Sequence, residues 1–368
     1  MRKKNEKMAK FYKLKVTDVR RETDDCVSVA FDVPDELKDQ YKYIQGQYLT
    51  LKFDFNGKEV RRSYSFCSSP ATEKEIRIAA KKVSGGQVST YLNDKANVGD
   101  ELDVMTPMGN FHTELHPSNK KTYVLFAGGS GITPIISIIK TVLHVEPLSN
   151  LALFYANRDK SSIIFKDQLI DLAEANSGRL QIHHILDNNP EGEELLTGII
   201  TPEKAEALME TYLDEDATHD FFICGPSPMM KNVKDALEGL SVRSEKINIE
   251  YFTAVIEDIE KAEKAADETP VGNVLSNVTV VMDGDETTFE LSTDGLAILD
   301  AAHDAGVDAP FSCKGAVCST CRAKLMKGKV KMDMNYALTD SEVEDGYILT
   351  CQSHPITADV EVNYDEAY

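Results

Sequence analysis

Residues 123–134 read YVLFAGGSGITP. Tyr123–Ala127 is an apolar run of strand length, three of the next four residues are glycine, and Pro134–Leu143 follows with a helix-like pattern. A strand that runs straight into a glycine-rich turn and then a helix opens a nucleotide-binding α/β unit. The glycines let the backbone approach a pyrophosphate, and the helix N-terminus favours its negative charge. The usual G-x-G-x-x-G spacing ends in proline here, Gly129-x-Gly131-x-x-Pro134, and proline suits a first helical turn. Taken alone, the pattern is also compatible with a strand–helix turn that holds no ligand.

Downstream, strand and helix patterns keep alternating. Strands are expected at Leu151–Tyr155, Leu180–Leu186 and Phe221–Cys224, and helices at Ser162–Ala175, Pro202–Tyr212 and Pro228–Leu240. That alternation predicts a parallel sheet covered by helices. In such sheets ligands sit at the carboxyl ends of the strands. Two further strand ends are therefore candidates. Cys224-Gly225-Pro226 can shape a nicotinamide cleft, although a buried structural thiol fits Cys224 as well. The strand end at Asn157 is expected to meet the adenosine part, and Arg158, Lys160 and Ser161 offer the charge and hydroxyls that suit a ribose 2′-phosphate, which favours NADPH over NADH; Asp159 counts against that reading.

Upstream, Phe11–Leu115 is built of short runs rich in β-branched and aromatic residues: Tyr48–Phe55, Ile76–Val83 and Glu101–Met105. Asn56-Gly57, Gly85-Gly86 and Gly99-Asp100 separate them, which predicts antiparallel strands in a small β-barrel. Within this part Arg62-Ser63-Tyr64-Ser65 and Gly85-Gly86-Gln87-Val88-Ser89 can hold a flavin. Tyr64 supplies an aromatic face, Ser65 a donor near N5, and Arg62 with the amides after Gly86 a phosphate site. A tyrosine among polar strand residues is by itself a weak signal; its weight comes from its order relative to the later motifs.

Toward the end of the chain, Cys313-x4-Cys318-x2-Cys321 is followed by Cys351. Four thiolates at this spacing are the ligand set of a plant-type [2Fe–2S] cluster. Gly315, Ala316, Ser319 and Thr320 are small enough for backbone N–H groups to reach the sulfurs. Zinc ribbons carry two C-x2-C pairs where this chain has one, so iron–sulfur is the expectation over zinc or unliganded core thiols. Cys26, Cys67 and Cys224 lack such spacing, and Cys26 is expected to have no role. Before the cluster, Asn277–Met282 and Thr287–Leu291 flank a hairpin turn, and Asp294–Ala305 reads as a helix.

The chain has 368 residues and a formal net charge of −21. That balance argues against nucleic acid, whose phosphates need Lys and Arg. The acidic excess is concentrated from Val274 onward, where it serves either as a solubility face or to steer the module toward a basic partner. No apolar run reaches the length of a membrane span. Met1–Lys10 is basic without a following apolar stretch, so the expected compartment is the cytoplasm. The expected division is a flavin-binding barrel at 8–116, a nucleotide-binding α/β domain at 120–254, a charged linker at 255–273 and an iron–sulfur domain at 274–368.

The ordered set of Arg62-Ser-Tyr64-Ser65, Gly128–Pro134 and Cys224-Gly-Pro226 resembles the ferredoxin–NADP⁺ reductase superfamily, and the cysteine set resembles plant-type ferredoxins. Val330–Pro355 is similar to the approach to the fourth cysteine in reductase components of ring-1,2-phenylacetyl-CoA epoxidases. The resemblance implies an FAD barrel, an NADP domain and a β-grasp ferredoxin module. It places FAD on Arg62, Tyr64, Ser65 and the Gly86–Ser89 amides, and nicotinamide near Thr133, Cys224 and Glu250. It puts the segment holding Glu250 and Phe252 beside the flavin, although that segment diverges here from the family pattern. It also implies NADPH as donor and a diiron oxygenase complex as acceptor. Reductases of Rieske dioxygenases, hydroxylases or desaturases share the domain set. FMN in place of FAD is the alternative known from phthalate-dioxygenase-type reductases.

Overall fold

The structure, a computed structural model, describes residues 10–189, 192–214, 217–252 and 274–367. The expected linker, 255–273, lies outside the described residues. The chain falls into two compact units, the larger built on Tyr12–Val60 and Tyr64–Glu250, the smaller chiefly on residues 274–367, with Phe11, Arg61–Ser63 and residues 251–252 counted in it.

The first half of the larger unit is a six-stranded antiparallel sheet. Its strands are β1 (Phe11–Thr23), β2 (Cys26–Asp32), β3 (Tyr48–Phe55), β4 (Lys58–Ser65), β5 (Ile76–Lys81) and β6 (Glu101–Met105), in the order β4-β3-β6-β1-β2-β5. The chain just past β4 closes it into a barrel, because Phe66 bridges Ile78 and the Cys67 N–H donates to the Arg77 carbonyl at 2.9 Å. Asn56 and Gly57, both at positive φ (60° and 80°), make the tight turn that joins β3 to β4. One element departs from the all-strand expectation. Gln87–Asp94 is a helix, α1, with Gly86 at its N-cap and Val88 and Leu92 buried one turn apart.

The second half is a parallel sheet of β7 (Thr122–Gly128), β8 (Asn150–Asn157), β9 (Leu180–Leu186), β10 (His219–Cys224) and β11 (Ile247–Glu250), in the order β11-β10-β7-β8-β9. Tyr123–Gly128 is buried throughout, as a strand must be when helices cover both faces. The helices are α2 (Ile132–Val145), α3 (Lys166–Ala175), α4 (Pro202–Tyr212) and α5 (Ser227–Gly239). The chain passes β7-β8-β9 in one direction and returns to lay β10 on the other side of β7. The crevice therefore opens between the carboxyl ends of β7 and β10.

Polar side chains fasten the two halves along α2. Ser137 donates to the Ser68 carbonyl at 2.6 Å, Thr141 shares a hydrogen bond with Ser69 at 2.9 Å, and Lys140 donates to the Cys67 carbonyl at 2.9 Å. Lys140 also pairs with Glu73 at 3.0 Å. The loop so held continues directly from β4. Further along, the buried Glu146 carboxylate accepts from the His116 N–H, the Asn119 amide, the Tyr123 hydroxyl and the Ser149 hydroxyl.

In the smaller unit, β12 (Leu275–Met282) and β13 (Asp285–Ser292) form a hairpin about Asp283-Gly284. After the cysteine loop, β14 (Arg322–Lys327) is followed by β15 (Val330–Met332), β16 (Tyr347–Leu349), β17 (Ser353–Pro355) and β18 (Asp359–Asn363). Five of these strands make one sheet in the order β13-β12-β18-β14-β16, in which β18 runs parallel to β12. β15 and β17 pair as a small antiparallel ribbon. Helix α6 (Ile298–Asp304) buries Ile298, Leu299 and Ala302 against the sheet, the β-grasp arrangement; α7 (Asp340–Glu344) is a single capped turn.

Lys140→Met is expected to lower stability by about 1–3 kcal/mol, because the Cys67 carbonyl and Glu73 lose their buried donor. Urea unfolding checks this; an unchanged midpoint would show that the seam is not held there.

Candidate functional site

Four strand ends meet at one edge of the parallel sheet. Register places Ala127 beside Cys224, Gly128 beside Ala156, and Cys224 beside Glu250. The glycine-rich turn after β7 and the Cys224-Gly225-Pro226 turn after β10 pack against each other. A Cβ on Gly131 would stand 2.0 Å from the Cys224 carbonyl oxygen, and one on Gly128 would stand 2.5 Å from Pro226 Cδ. These two glycines are required by close turn-to-turn packing. Gly129 differs: its φ is +51°, and a Cβ there would meet only Lys81 Nζ, at 4.0 Å. Gly129 is thus the glycine whose face is open to a ligand.

Thr133 is buried, with its hydroxyl donating to the Ser130 carbonyl at 3.1 Å. The Cys224 thiol is fully buried, and burial, reinforced by the nearby Glu250 charge, pushes its pKa well up. It stays protonated at neutral pH, so it is a shape element and not a thiolate. Cys26 and Cys67 are buried and free as well, and burial pushes Cys67 up to about 12.

At the end of β8, Asn157 is buried, and its amide, near the Tyr155 hydroxyl, completes no hydrogen bond of good geometry. The Tyr155 hydroxyl donates to the Gly129 carbonyl at 2.9 Å. Arg158 is exposed and pairs with Asp25 at 3.5 Å. Asp159 turns inward on its own turn, accepting from the Ser161 and Ser162 N–H groups at 3.0 Å and from the Ser161 hydroxyl at 2.6 Å. These donors, led by the Ser161 hydroxyl, hold its carboxyl below the usual range. The acid that weakened the 2′-phosphate reading is therefore occupied locally, and so is the hydroxyl proton of Ser161.

In the barrel, β4 goes from exposed to buried toward its end. Arg62 is exposed, Ser63 and Tyr64 are half-buried, and Ser65 is 2% exposed. Ser65 Oγ is buried and makes no hydrogen bond. A buried hydroxyl without a partner costs free energy unless a ligand supplies one, so Ser65 fits a group brought in by a flavin. Gly85, at φ +72°, turns the chain into α1, whose first amides, Gln87, Val88 and Ser89, have no carbonyl one turn back. The Val88 side chain points into the core, and the Ser89 hydroxyl accepts from the Val83 N–H at 3.1 Å. What these residues can offer a phosphate is backbone. A cavity of about 330 Å³ opens beside them, lined by Phe55, Gly85, Gly86, Gln87, Thr90, Tyr91 and Lys95.

In the smaller unit the four cysteines pair two by two. Cys318 lies 3.1 Å from Cys313, sulfur to sulfur, and Cys321 hydrogen-bonds Cys351. Among the described residues no three His, Cys, Asp or Glu side chains converge as a single ion requires. Two pairs fit the donor set of a two-iron cluster, with two thiolates to each iron. Lys314 and Ala316 adopt positive φ (51° and 63°), which turns backbone N–H groups toward sulfur. The Gly315 N–H donates to Cys313 Sγ at 3.3 Å, and the Ala316 N–H to Cys351. The Cys318 thiol, donating to Cys313, draws the latter's pKa down, while the same bond and burial push Cys318 up.

The sequence expectations are distributed across these places. Gly129, Gly131, Thr133, Pro134, Cys224, Gly225, Pro226 and Glu250 come together at one edge, and Asn157, Arg158 and Ser161 stand at the neighbouring strand end. Phe252, two residues beyond β11, is 40% exposed. The edge also holds a residue that the sequence pattern does not announce. Lys81, on β5, stands over Gly129 and pairs with Asp25 at 3.6 Å. No motif marks it.

Known families account for three successive stretches of the chain. The family model described as oxidoreductase FAD-binding domain matches residues 13–113, oxidoreductase NAD-binding domain matches 125–235, and 2Fe-2S iron-sulfur cluster binding domain matches 280–355. The chain is 38% identical to a subunit of 1,2-phenylacetyl-CoA epoxidase from Escherichia coli, over 97% of this chain and 99% of that protein. This chain belongs to the reductase components of multicomponent oxygenases. Another relative, the ferredoxin reductase component of 3-ketosteroid-9-alpha-monooxygenase from Mycobacterium tuberculosis, is 36% identical over 96% of each chain. In fold, the reductase component is similar to phthalate dioxygenase reductase, with a TM-score of 0.58, 23% identity, and 96% of this chain and 98% of that one covered. It is an oxidoreductase with flavin, pyridine-nucleotide and [2Fe–2S] domains that transfers electrons to an oxygenase.

Gly131→Ala is expected to cost about 1–3 kcal/mol, because the new methyl overlaps the Cys224 carbonyl. It should weaken pyridine-nucleotide binding in the same protein. Thermal unfolding and a nucleotide titration check both, and wild-type values would mean that the two turns separate freely.

Proposed function

We propose that this reductase component takes its electrons from NADPH and delivers them to a diiron oxygenase of the phenylacetyl-CoA epoxidase type in the cytoplasm. The observation that carries the acceptor is the 38% identity, along nearly its whole length, to the E. coli epoxidase protein. With FAD and the cluster bound, a hydride's electron pair enters through the flavin and leaves as single electrons.

The residues divide the work. Ser65, buried and without a partner, donates to flavin N5, and Tyr64 covers a face of the ring. Arg62, Ser63 and the backbone of Gly85, Gly86, Gln87, Val88 and Ser89 hold the flavin phosphates. Gly129 and the α2 N-terminus take the dinucleotide pyrophosphate, with Lys81 adding charge above Gly129. Gly131, Thr133, Pro134, Cys224, Gly225 and Pro226 shape the nicotinamide cleft, Glu250 borders it at the next strand end, and Phe252 follows on the chain leaving it. Cys313, Cys318, Cys321 and Cys351 ligate the irons.

The preference for NADPH rests on Arg158 and Lys160, with Asp159 spent on its own turn. Asn157 adds its unsatisfied amide. Three buried thiols outside the ligand set, Cys26, Cys67 and Cys224, suit a reducing compartment, and no described helix is long and apolar enough to cross a membrane. A second reading, that the acceptor is a steroid-type monooxygenase, draws on the 36% identity to the M. tuberculosis component.

Arg158→Ala should lower kcat/KM for NADPH by about tenfold or more while leaving NADH nearly unchanged. Equal losses with both nucleotides would remove the 2′-phosphate assignment. Cys318→Ser should stop electron delivery to a phenylacetyl-CoA epoxidase while NADPH oxidation by ferricyanide survives. Loss of both activities would overturn the division of labour. Faster wild-type turnover with a steroid monooxygenase than with the epoxidase would favour the second reading.

A further inference from the structure

Gln352 follows the fourth cysteine and is 8% exposed. The two protons of its side-chain NH2 face three acceptors, so one is shared: the Cys351 carbonyl at 2.9 Å, the Lys314 carbonyl at 3.2 Å and Cys351 Sγ at 3.6 Å. All three partners are acceptors. The amide is therefore held with its NH2 end inward, because the opposite orientation would set its oxygen against two carbonyls and a sulfur. The contact to Lys314 is not incidental, because Lys314 is one of the two non-glycine residues of the cysteine loop held at positive φ. Gln352 thus ties the loop of the first cysteine to the fourth cysteine and donates to a sulfur at the same time.

Most other donors to sulfur in this loop are backbone: the Gly315 and Val317 N–H groups serve Cys313, and the Ala316 N–H serves Cys351. Gln352 is a side-chain donor, so it can be removed without altering the chain's path. Taking up one electron makes the thiolate-bound cluster one charge more negative. An N–H directed at sulfur stabilises that reduced form more than the oxidised one.

We propose that Gln352 is a positioning residue that sets the reduction potential of the cluster, through its bond to Cys351 Sγ and its hold on the Lys314 carbonyl. The inference rests on the four-cysteine ligation proposed above and deepens it. It makes the chain's last electron step depend on a residue outside the ligand set.

The test uses the full-length, cluster-loaded protein. Gln352→Met keeps the side chain's length and burial but removes the donor. Gln352→Glu keeps the shape and sets a carboxylate against sulfur. Midpoint potentials are read by redox titration followed by EPR, together with the g values and NADPH–ferricyanide activity. At a fixed potential the ratio of reduced to oxidised cluster in Gln352→Met should fall about tenfold relative to wild type, a shift of about 59 mV for a one-electron couple. Gln352→Glu should shift further in the same direction, and flavin-level ferricyanide activity should stay at wild type. A purely structural role would change thermal stability and leave the potential and g values alone, and that result overturns the proposal. Inability of both variants to hold a cluster also overturns it, since the amide would then serve assembly and not potential. If wild type itself shows no [2Fe–2S] spectrum, the ligand assignment fails instead.

Discussion

Helix α2 is held to the loop beyond β4 by Lys140, Ser137 and Thr141, and everything in the larger unit depends on that seam. The helix carries the glycine-rich turn at its N-terminus, and the loop continues from the strand that carries Tyr64 and Ser65. Hydride transfer tolerates little error in distance or angle, so the nucleotide edge and the flavin strand have to be fixed relative to each other by more than apolar contact. A buried lysine that donates to a backbone carbonyl and also pairs with Glu73 gives the seam a single register. The edge-to-face contact of Phe111 with Phe222, at 5.4 Å, adds apolar support between the same halves.

Much of this is legible in the sequence because the relevant constraints are local. The cysteine spacing is dictated by a loop that must wrap two irons, and the two glycine-rich turns stand where strand patterns end. Asn56-Gly57 and Asp283-Gly284 announce hairpins because each pair must adopt positive φ, and both do. The parallel sheet is visible because a strand buried on both faces cannot alternate.

What the sequence conceals depends on distant partners or short elements. Helix α1 is only eight residues long and shows its period through little more than Val88 and Leu92, so it blends into a strand region. The helix expected from Ser162 begins at Lys166, because Asp159 caps a separate turn at Lys160–Ser162 and Phe165 sits at φ 60° before α3. The helix expected over Asp294–Ala305 is shorter, Ile298–Asp304. Spacing alone makes glycine an allowance for phosphate at both 129 and 131; in the folded chain Gly131 answers to the Cys224 turn, while Gly129 faces outward. Lys81 and Gln352 carry no motif at all: Lys81 takes its meaning from Gly129 and Asp25, and Gln352 from joining its neighbour Cys351 to the distant Lys314.

The smaller unit holds two cysteine pairs, and the larger holds a buried Ser65 hydroxyl without a hydrogen bond and an edge where four strands end. The central claim is that electrons reach the cluster through the flavin. The direct measurement is anaerobic addition of NADPH to cluster-loaded protein, with and without its flavin, followed by EPR of the reduced [2Fe–2S] signal. The account predicts a full signal in the flavin-loaded protein and none in the flavin-stripped protein. Equal reduction of the cluster in both, or in neither, would contradict it.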